Sequence, residues 1–363
     1  MRKAKLLVNT IKLGCLTALI AGCAAEQAEV RHFYWPQLPE RPRIEWKKSY
    51  ASQLDFPKTG FESFITGIAG EDEPVRFEKP LDIKSTGDGK VYVSDPGNSM
   101  VYVYDMVNRE VHMLGRDDAV GLFRNPVGIA LDPQGNLYVA DPAQNSVLIF
   151  DRNEKPVRSI PMKETVERPT GLAFDAKNNH LLVVDSKGHR VFIYKPDGTL
   201  VGSFGKRGNG DGEFNYPGAI TVDHQGEIVV VDTMNARVEI FDGSGKFLRK
   251  FGNRGDGPSD FQLLKGVAVD SDDDIYVTDG KASKIVIYSS KGEYLLTIGG
   301  LYSALTTGKE APGGFVIPEG IDIDKNDTIY VVDQLNKRFQ VFQYISDKYL
   351  AEHPVPGYVP PVK

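Results

Sequence analysis

The sequence predicts an all-β fold, a six-bladed β-propeller whose last blade takes its outer strand from the N-terminal segment. Three observations carry this. Six aspartates each close a short β-branched run, at Asp95, Asp141, Asp185, Asp232, Asp279 and Asp333, spaced 46, 44, 47, 47 and 54 residues apart. Each stands in a fixed frame. Pro80, Pro126, Pro217 and Pro318 lie fifteen residues upstream, Pro169 sixteen, and Leu264 fills the slot in the fifth copy. Six residues downstream lies Val101, Val147, Val191, Val238, Ile285 or Phe339. Finally, the sixth copy runs out after three strands, and residues 43–50 supply an alternating Ile44, Trp46, Lys48, Tyr50 that matches the fourth strands of the other copies.

Composition agrees with a folded chain: 363 residues, 41% hydrophobic and 25% charged. Net charge is −6. Without residues 1–22, which hold Arg2, Lys3, Lys5 and Lys12, 39 bases face 49 acids, or −10. That balance argues against a nucleic-acid partner. Cys15 and Cys23 are the only cysteines, too few for a disulfide framework, an iron–sulfur cluster or an attached haem.

In chain order, residues 1–22 read as a secretory signal: a basic start, then an apolar run too short to span a bilayer. The run ends in Ile20-Ala21-Gly22-Cys23. This resembles the bacterial lipobox, which implies cleavage before Cys23 and its acylation, palmitate included. Ala24 follows, and by resemblance to Gram-negative lipoproteins this implies the outer membrane, with the facing side open. Residues 23–42 read as a Pro-containing, polyproline-like tether, with Pro36, Pro39 and Pro42 evenly spaced. Phe33, Tyr34 and Trp35 within it either dock on the body or lie near the membrane surface. Helical spacing of Phe61, Phe64, Ile65 and Ile68 predicts a capping helix over 60–69. The propeller is expected over 43–350, with a C-terminal tail at 351–363 and a helical start from Ser346 to Glu352.

Within a copy, the fourth shows four strands at 219–222, 227–232, 238–241 and 246–251, separated by Gly/Asn/Asp turns. Such a sheet is apolar on both faces and cannot stand alone. Stacking six around an axis buries those faces.

Pro126-Val127-Gly128-Ile129 with Leu137-Tyr138-Val139-Ala140-Asp141, Asp232-Thr233-Met234-Asn235-Ala236-Arg237-Val238 and Asp333-Gln334-Leu335-Asn336-Lys337-Arg338-Phe339 resemble the NHL repeat of six-bladed propellers. So does the glycine-rich run from Phe204-Gly205 to Phe214. The resemblance covers residues 76–345 and implies fold, not activity. Departures are Asp82 in place of the glycine in copy one, the missing proline in copy five, and Met100 and Ser146 in place of the arginine.

The repeated aspartates, with Asn235, Arg237, Asn336 and Arg338, read as architecture, because repetition suits a scaffold better than one active site. The aspartates are expected to accept turn N–H groups, and Arg190, Arg237, Lys284 and Arg338 to pair across blades. Two enzyme families resemble this fold: the peptide α-amidating lyases, with zinc-binding histidines in the channel, and the gluconolactonase-like family, with Glu, Asn and Asp on calcium. None of His32, His112, His180, His189, His224 and His353 is expected in an innermost strand, and His180 and His224 are placed in first-to-second-strand turns. The residue after the proline slot is Leu81, Val127, Thr170, Gly218, Lys265 or Glu319. Lys265, Glu319 and Asp82, from adjoining copies, are therefore a candidate channel-mouth cluster: an interblade salt bridge, or a site for a small polar ligand or divalent cation. Asp82 turns away if its register differs. Asp270, Asp272, Asp273 and Asp274 form an acidic turn read as solvated, without the pattern of a calcium loop.

The expected function is a lipid-anchored, non-enzymatic scaffold for exported or outer-membrane proteins, without cofactor. Bacterial NHL lipoproteins with a similar start resemble residues 35–44, which implies an envelope complex, one with redox partners included. The alternative is a metal-dependent lactonase- or lyase-like enzyme using channel carboxylates.

Overall fold

The computed structural model describes residues 32–57, 74–114, 122–162 and 166–360. The signal at 1–22, Cys23 and the expected helix at 60–69 lie outside the described residues.

Six antiparallel sheets follow one another along the chain. Blade 1 comprises strands Ile83–Ser85, Lys90–Asp95, Met100–Asp105 and Glu110–Leu114. Blade 2 comprises Ile129–Leu131, Leu137–Asp141, Ser146–Phe150 and Pro156–Pro161, and blade 3 Pro169–Asp175, His180–Asp185, Arg190–Tyr194 and Leu200–Phe204. Blade 4 comprises Pro217–Val222, Ile228–Asp232, Arg237–Phe241 and Phe247–Phe251, and blade 5 Leu264–Val269, Ile275–Asp279, Lys284–Tyr288 and Tyr294–Ile298. Blade 6 begins with Pro318–Ile323, Thr328–Asp333 and Arg338–Tyr344. The first strands contact one another in a closed circle and enclose the channel.

The predicted strand closes the ring, but its side chains do not keep to one side: a bulge between Trp46 and Lys48 leaves Ile44 and Trp46 facing blade 5 and turns Tyr50 toward blade 1. Ile44–Tyr50 pairs antiparallel with Arg338–Tyr344, with Ile44 opposite Tyr344 and Tyr50 opposite Phe339. Ile44 is fully buried, and Tyr50 stacks on Phe339 at 5.3 Å. Trp46 Nε1 donates to Gln340 Oε1 at 3.0 Å.

The tether differs from expectation. Phe33–Trp35 is a fifth strand of blade 6, paired with Ile44–Trp46. Trp35 packs on Phe342 at 5.9 Å and Phe33 on Trp46 at 6.1 Å, so the aromatics dock on the propeller body. Burial of these rings outweighs the extended preference of the proline-rich spacing. The C-terminal helix spans Asp347–Glu352, capped by Ser346. Beyond it, Val355 and Tyr358 pack with Tyr34 and Leu38, so the tail is part of the body.

The core is a ring of six apolar layers, one between each pair of adjoining blades. Each blade therefore buries both faces only in its neighbours' presence. The segment entering most blades adds a buried plug: Phe77, Phe123, Phe214, Phe261 and Phe315, with Val166 ahead of blade 3. The glycine-rich segments make room for it. Gly205 has φ +87°, and a Cβ there would lie 2.4 Å from Phe214.

Spacing lengthens to 54 residues before blade 6 because an insertion stands there. It holds a two-residue parallel pair, Gly300–Leu301 with Gly314–Phe315, and the short helix Ala304–Thr307. Among the described residues no helix is long and apolar enough to cross a membrane.

Candidate functional site: the channel mouth

Every first strand starts at the same end of the channel. Leu81, Val127, Thr170, Gly218, Lys265 and Glu319 line a cavity there of about 270 Å³. Lys265 Nζ donates to Glu319 Oε1 at 2.8 Å, across blades 5 and 6. Burial pushes the Glu319 carboxyl above its ordinary range, and the Lys265 ammonium works against that rise.

The next positions are Asp82, Gly128, Gly171, Ala219, Gly266 and Gly320. A Cβ on Gly128 would lie 2.0 Å from the Thr170 carbonyl oxygen, and one on Gly266 2.6 Å from that of Glu319. Neighbouring first strands thus approach too closely for a side chain there. Blades 1 and 4 are the exceptions: blade 4 has Ala219, and in blade 1 Asp82 lies against Gly320 of blade 6. Its Oδ1 accepts the Ile83 N–H at 2.9 Å and its Oδ2 the Ile129 N–H of blade 2 at 2.8 Å. Burial pushes this carboxyl up to about 6, opposed by the Lys84 ammonium. The three expected residues therefore line one cavity, but only Lys265 and Glu319 pair. Asp82 is turned to backbone donors by the strand's alternation.

Sequence reasoning missed a second charged pair. Two positions further along stand Lys84, Ala130, Ala173, Thr221, Ala268 and Asp322. Lys84 Nζ donates to Asp322 Oδ1 at 2.7 Å, and the Ser85 N–H donates to Asp322 Oδ2 at 2.8 Å. Following the aligned strands for two more residues reveals one Lys and one Asp among alanines and a threonine. The channel wall built by blades 5, 6 and 1 is thus charged, and that of blades 2, 3 and 4 is small and neutral. Arg168 and Thr233 stand at the mouth on the neutral side.

The repeated aspartates are latches. Asp95 accepts N–H groups of Glu78 and Lys79 from the incoming segment and of Gly97 and Asn98 from its own turn. Asp141 and Asp279 repeat the pattern with Arg124 and Asn125, and with Gln262 and Leu263, and Asp185 with Glu167 and Arg168. In blades 4 and 6 the side chains of Asn235 and Arg237, and of Asn336 and Arg338, take over part of the work on Asp232 and Asp333. The arginines do not pair across blades. Arg237 binds Asp232 of its own blade and the carbonyls of Asn209, Gly210 and Glu213 in the incoming segment. Lys284 likewise donates to the carbonyls of Gly257 and Pro258, and Arg190 lies over the Phe192 ring. The incoming segment's curled backbone presents carbonyls to these cations, and Glu239 of the same blade adds a second carboxylate to Arg237 at 2.9 Å.

None of the histidines lies in a first strand. His180 opens a second strand rather than sitting in the turn before it. His224 Nδ1 contacts Asp273 Oδ1 at 2.8 Å, bridging blades 4 and 5. That contact also corrects the acidic turn. Asp270 accepts the N–H groups of Asp272 and Asp274 and the Tyr276 hydroxyl, and Asp272 accepts the Tyr344 hydroxyl at 2.7 Å from blade 6. The turn is a junction between blades with Asp270 buried, and only Ser271 and Asp272 at its tip are exposed as expected of a solvated turn. Burial pushes Asp270 up to about 7 and Asp274 up to about 6, with neighbouring carboxylates adding to both. Among the described residues no three His, Cys, Asp or Glu side chains are grouped to hold a metal.

The two faces of the ring differ in what they expose. On the mouth face stand Tyr216 (48% exposed), Met234 (48%) and Leu335 (51%), with Leu301 (77%) and Leu305 (62%) in the insertion. The insertion meets blade 6 on that face, where Asn336 bonds Tyr302 and Ala304. The opposite face is built of Asp-capped turns and exposes Val107, and the outer strands expose Val157, Leu200, Val201, Leu248, Tyr294 and Leu295.

With this geometry in place, the comparisons agree on fold. A family model described as 6-bladed beta-propeller matches residues 173–234 and 223–300. One described as SMP-30/Gluconolactonase/LRE-like region matches residues 84–186. No curated protein matches the chain in sequence. Among solved structures, an auxiliary nutrient binding protein from Bacteroides thetaiotaomicron is 13% identical with TM-score 0.57, over 74% of this chain and 70% of that one. Virginiamycin B lyase from Staphylococcus aureus is 14% identical with TM-score 0.52, over 74% and 95%. Kuenenia stuttgartiensis hydrazine synthase is 16% identical with TM-score 0.52, over 79% and 83%. At such identities the likeness is one of fold alone.

Proposed function

We propose that this chain is an NHL-type propeller, anchored to the outer membrane by acylated Cys23, that binds another exported protein on its channel-mouth face. The observation that carries the reading is that Tyr216, Met234, Leu335, Leu301 and Leu305 stand exposed on the mouth face, at and beside the segments that enter blades 4 and 6. Large apolar side chains held in water on one face are costly, and such faces are where partners dock. The partner belongs to an envelope assembly, electron-transfer complexes included, in which this chain serves as scaffold. Two experiments test it. Cys23→Ser is expected to shift the protein from the membrane to a soluble or uncleaved form; unchanged membrane retention contradicts the anchor. Met234→Glu with Leu335→Glu is expected to abolish co-purification of the partner while leaving the melting temperature unchanged; unaltered co-purification contradicts the face.

The second reading, a metal-dependent lactonase- or lyase-like enzyme, draws support from the match over residues 84–186 and the carboxylates of the charged wall. The residues at the mouth do not fit a cation. Glu319 is taken by Lys265, Asp82 by two backbone N–H groups and Asp322 by Lys84 and Ser85.

A further inference from the structure

The carboxylates around the mouth are engaged, whereas part of its cationic donor capacity is left over. Arg168 lines the cavity, and among the described residues its guanidinium has no hydrogen bond or ion pair; only its backbone N–H is used, on Asp185. Lys265 keeps part of its side chain in solvent, 26% exposed, and spends one N–H on Glu319. An ammonium has three donors, so two remain. Lys79 adds positive charge close enough to act on Glu319. Thr170 and Thr233 bring hydroxyls, and Gly218 leaves room for that of Thr233, which would lie 2.8 Å from a Cβ there.

We propose that the channel mouth is a carboxylate-binding site, in which Arg168 and Lys265 hold an incoming –COO⁻ group. A planar guanidinium offers two parallel N–H groups that match a carboxylate's two oxygens, and the ammonium supplies a point charge beside them. Arg168 is exposed, whereas partial burial of Lys265 strengthens its contact relative to open solvent. Glu319 competes for Lys265 and so tunes affinity downward. The carboxylate comes either from a free small acid or from an acidic side chain or C-terminus of the bound protein. The second source rests on the proposed function, and the first does not.

The test titrates succinate, acetate and, as cationic control, methylammonium into the purified full chain at low salt by calorimetry. Succinate is expected to bind, Arg168→Gln to weaken it at least tenfold, and Glu319→Gln to tighten it three- to tenfold by freeing Lys265. Thermal melts of each variant separate lost binding from lost fold. No binding of succinate or acetate up to 20 mM, or weaker binding in Glu319→Gln, overturns the proposal. So does methylammonium binding that Glu319→Gln abolishes. A photo-crosslinker at Leu335 then separates the sources in cells. An adduct lost in Arg168→Gln assigns the carboxylate to the partner protein, and an adduct retained there assigns it to a small acid. Absence of any adduct in the parent chain counts against the proposed function and leaves the calorimetric result to judge the site alone.

Discussion

The mouth face and the turn face of this propeller are built from the same repeat and serve opposite ends. On the turn face, the aspartates that close the first strands spend their oxygens on their own turns, as Asp132 does on Gln134, Asn136 and Tyr138. Links between blades add to this: His224 to Asp273, Ser271 to Asp327, Asn326 to Gly87. On the mouth face the repeated aspartates do the latching from beneath, and side chains above them are left for solvent. Polar capacity consumed internally makes scaffold; capacity left over makes surface.

The largest break removes the ring that both faces share. Deleting residues through 51 strips Phe33–Trp35 and Ile44–Tyr50 from blade 6 and bares the strand edge of Arg338–Tyr344. Aggregation or loss of cooperative melting is expected, because an unpaired apolar edge recruits other chains. A monomeric product with unchanged melting, by light scattering and calorimetry, contradicts the closure.

Within the ring, Phe261→Ala removes a fully buried plug between blades. It is expected to cost about 3–5 kcal/mol by chemical denaturation.

Next in size is the turn face. Asp270→Ala leaves the Tyr276 hydroxyl and two backbone N–H groups without their acceptor. A loss of about 1–3 kcal/mol is expected.

Acidity sharpens the same contrast. The Asp270 carboxyl rises from 3.8 to about 7 on folding. Between those values the folded chain holds a proton that the unfolded chain has released, so stability falls as pH rises through the window. Melting is expected to be higher at pH 5.5 than at pH 8, and Asp270→Asn to flatten that difference. Glu154 acts with the opposite sign. Its carboxyl, paired with His112 and Lys90, sits at about 2, so its contribution is present above the usual Glu range and lost as pH falls toward 2.

These contrasts were unevenly legible in the sequence. The aspartate spacing and the alternation of Ile44 and Trp46 report backbone geometry directly, so blades and closure were readable, whereas the bulge that turns Tyr50 to the other face was not. Phe33–Trp35 was not, because three residues carry no period and its strand character comes from its partner. At the mouth, Lys265 and Glu319 could be placed together from their slots. Asp82 could not, since its carboxylate is directed by N–H groups of Ile83 and Ile129 that only the fold brings near. The reach of Arg168 into the cavity likewise depends on where the entering segment turns.

The smallest stability effect belongs to the mouth face. Leu335→Glu and Met234→Glu are expected to shift stability by no more than about 0.5 kcal/mol, because both side chains are half in water already.

Binding on the mouth face is tested most directly by a photo-crosslinking amino acid placed, one site at a time, at Met234 and Leu335 on that face and at Asp151 and Asp242 on the other, in living cells. The account predicts one discrete adduct from both mouth-face sites and none from the turn-face sites. Adducts from Asp151 or Asp242, with none from Met234 and Leu335, would contradict it.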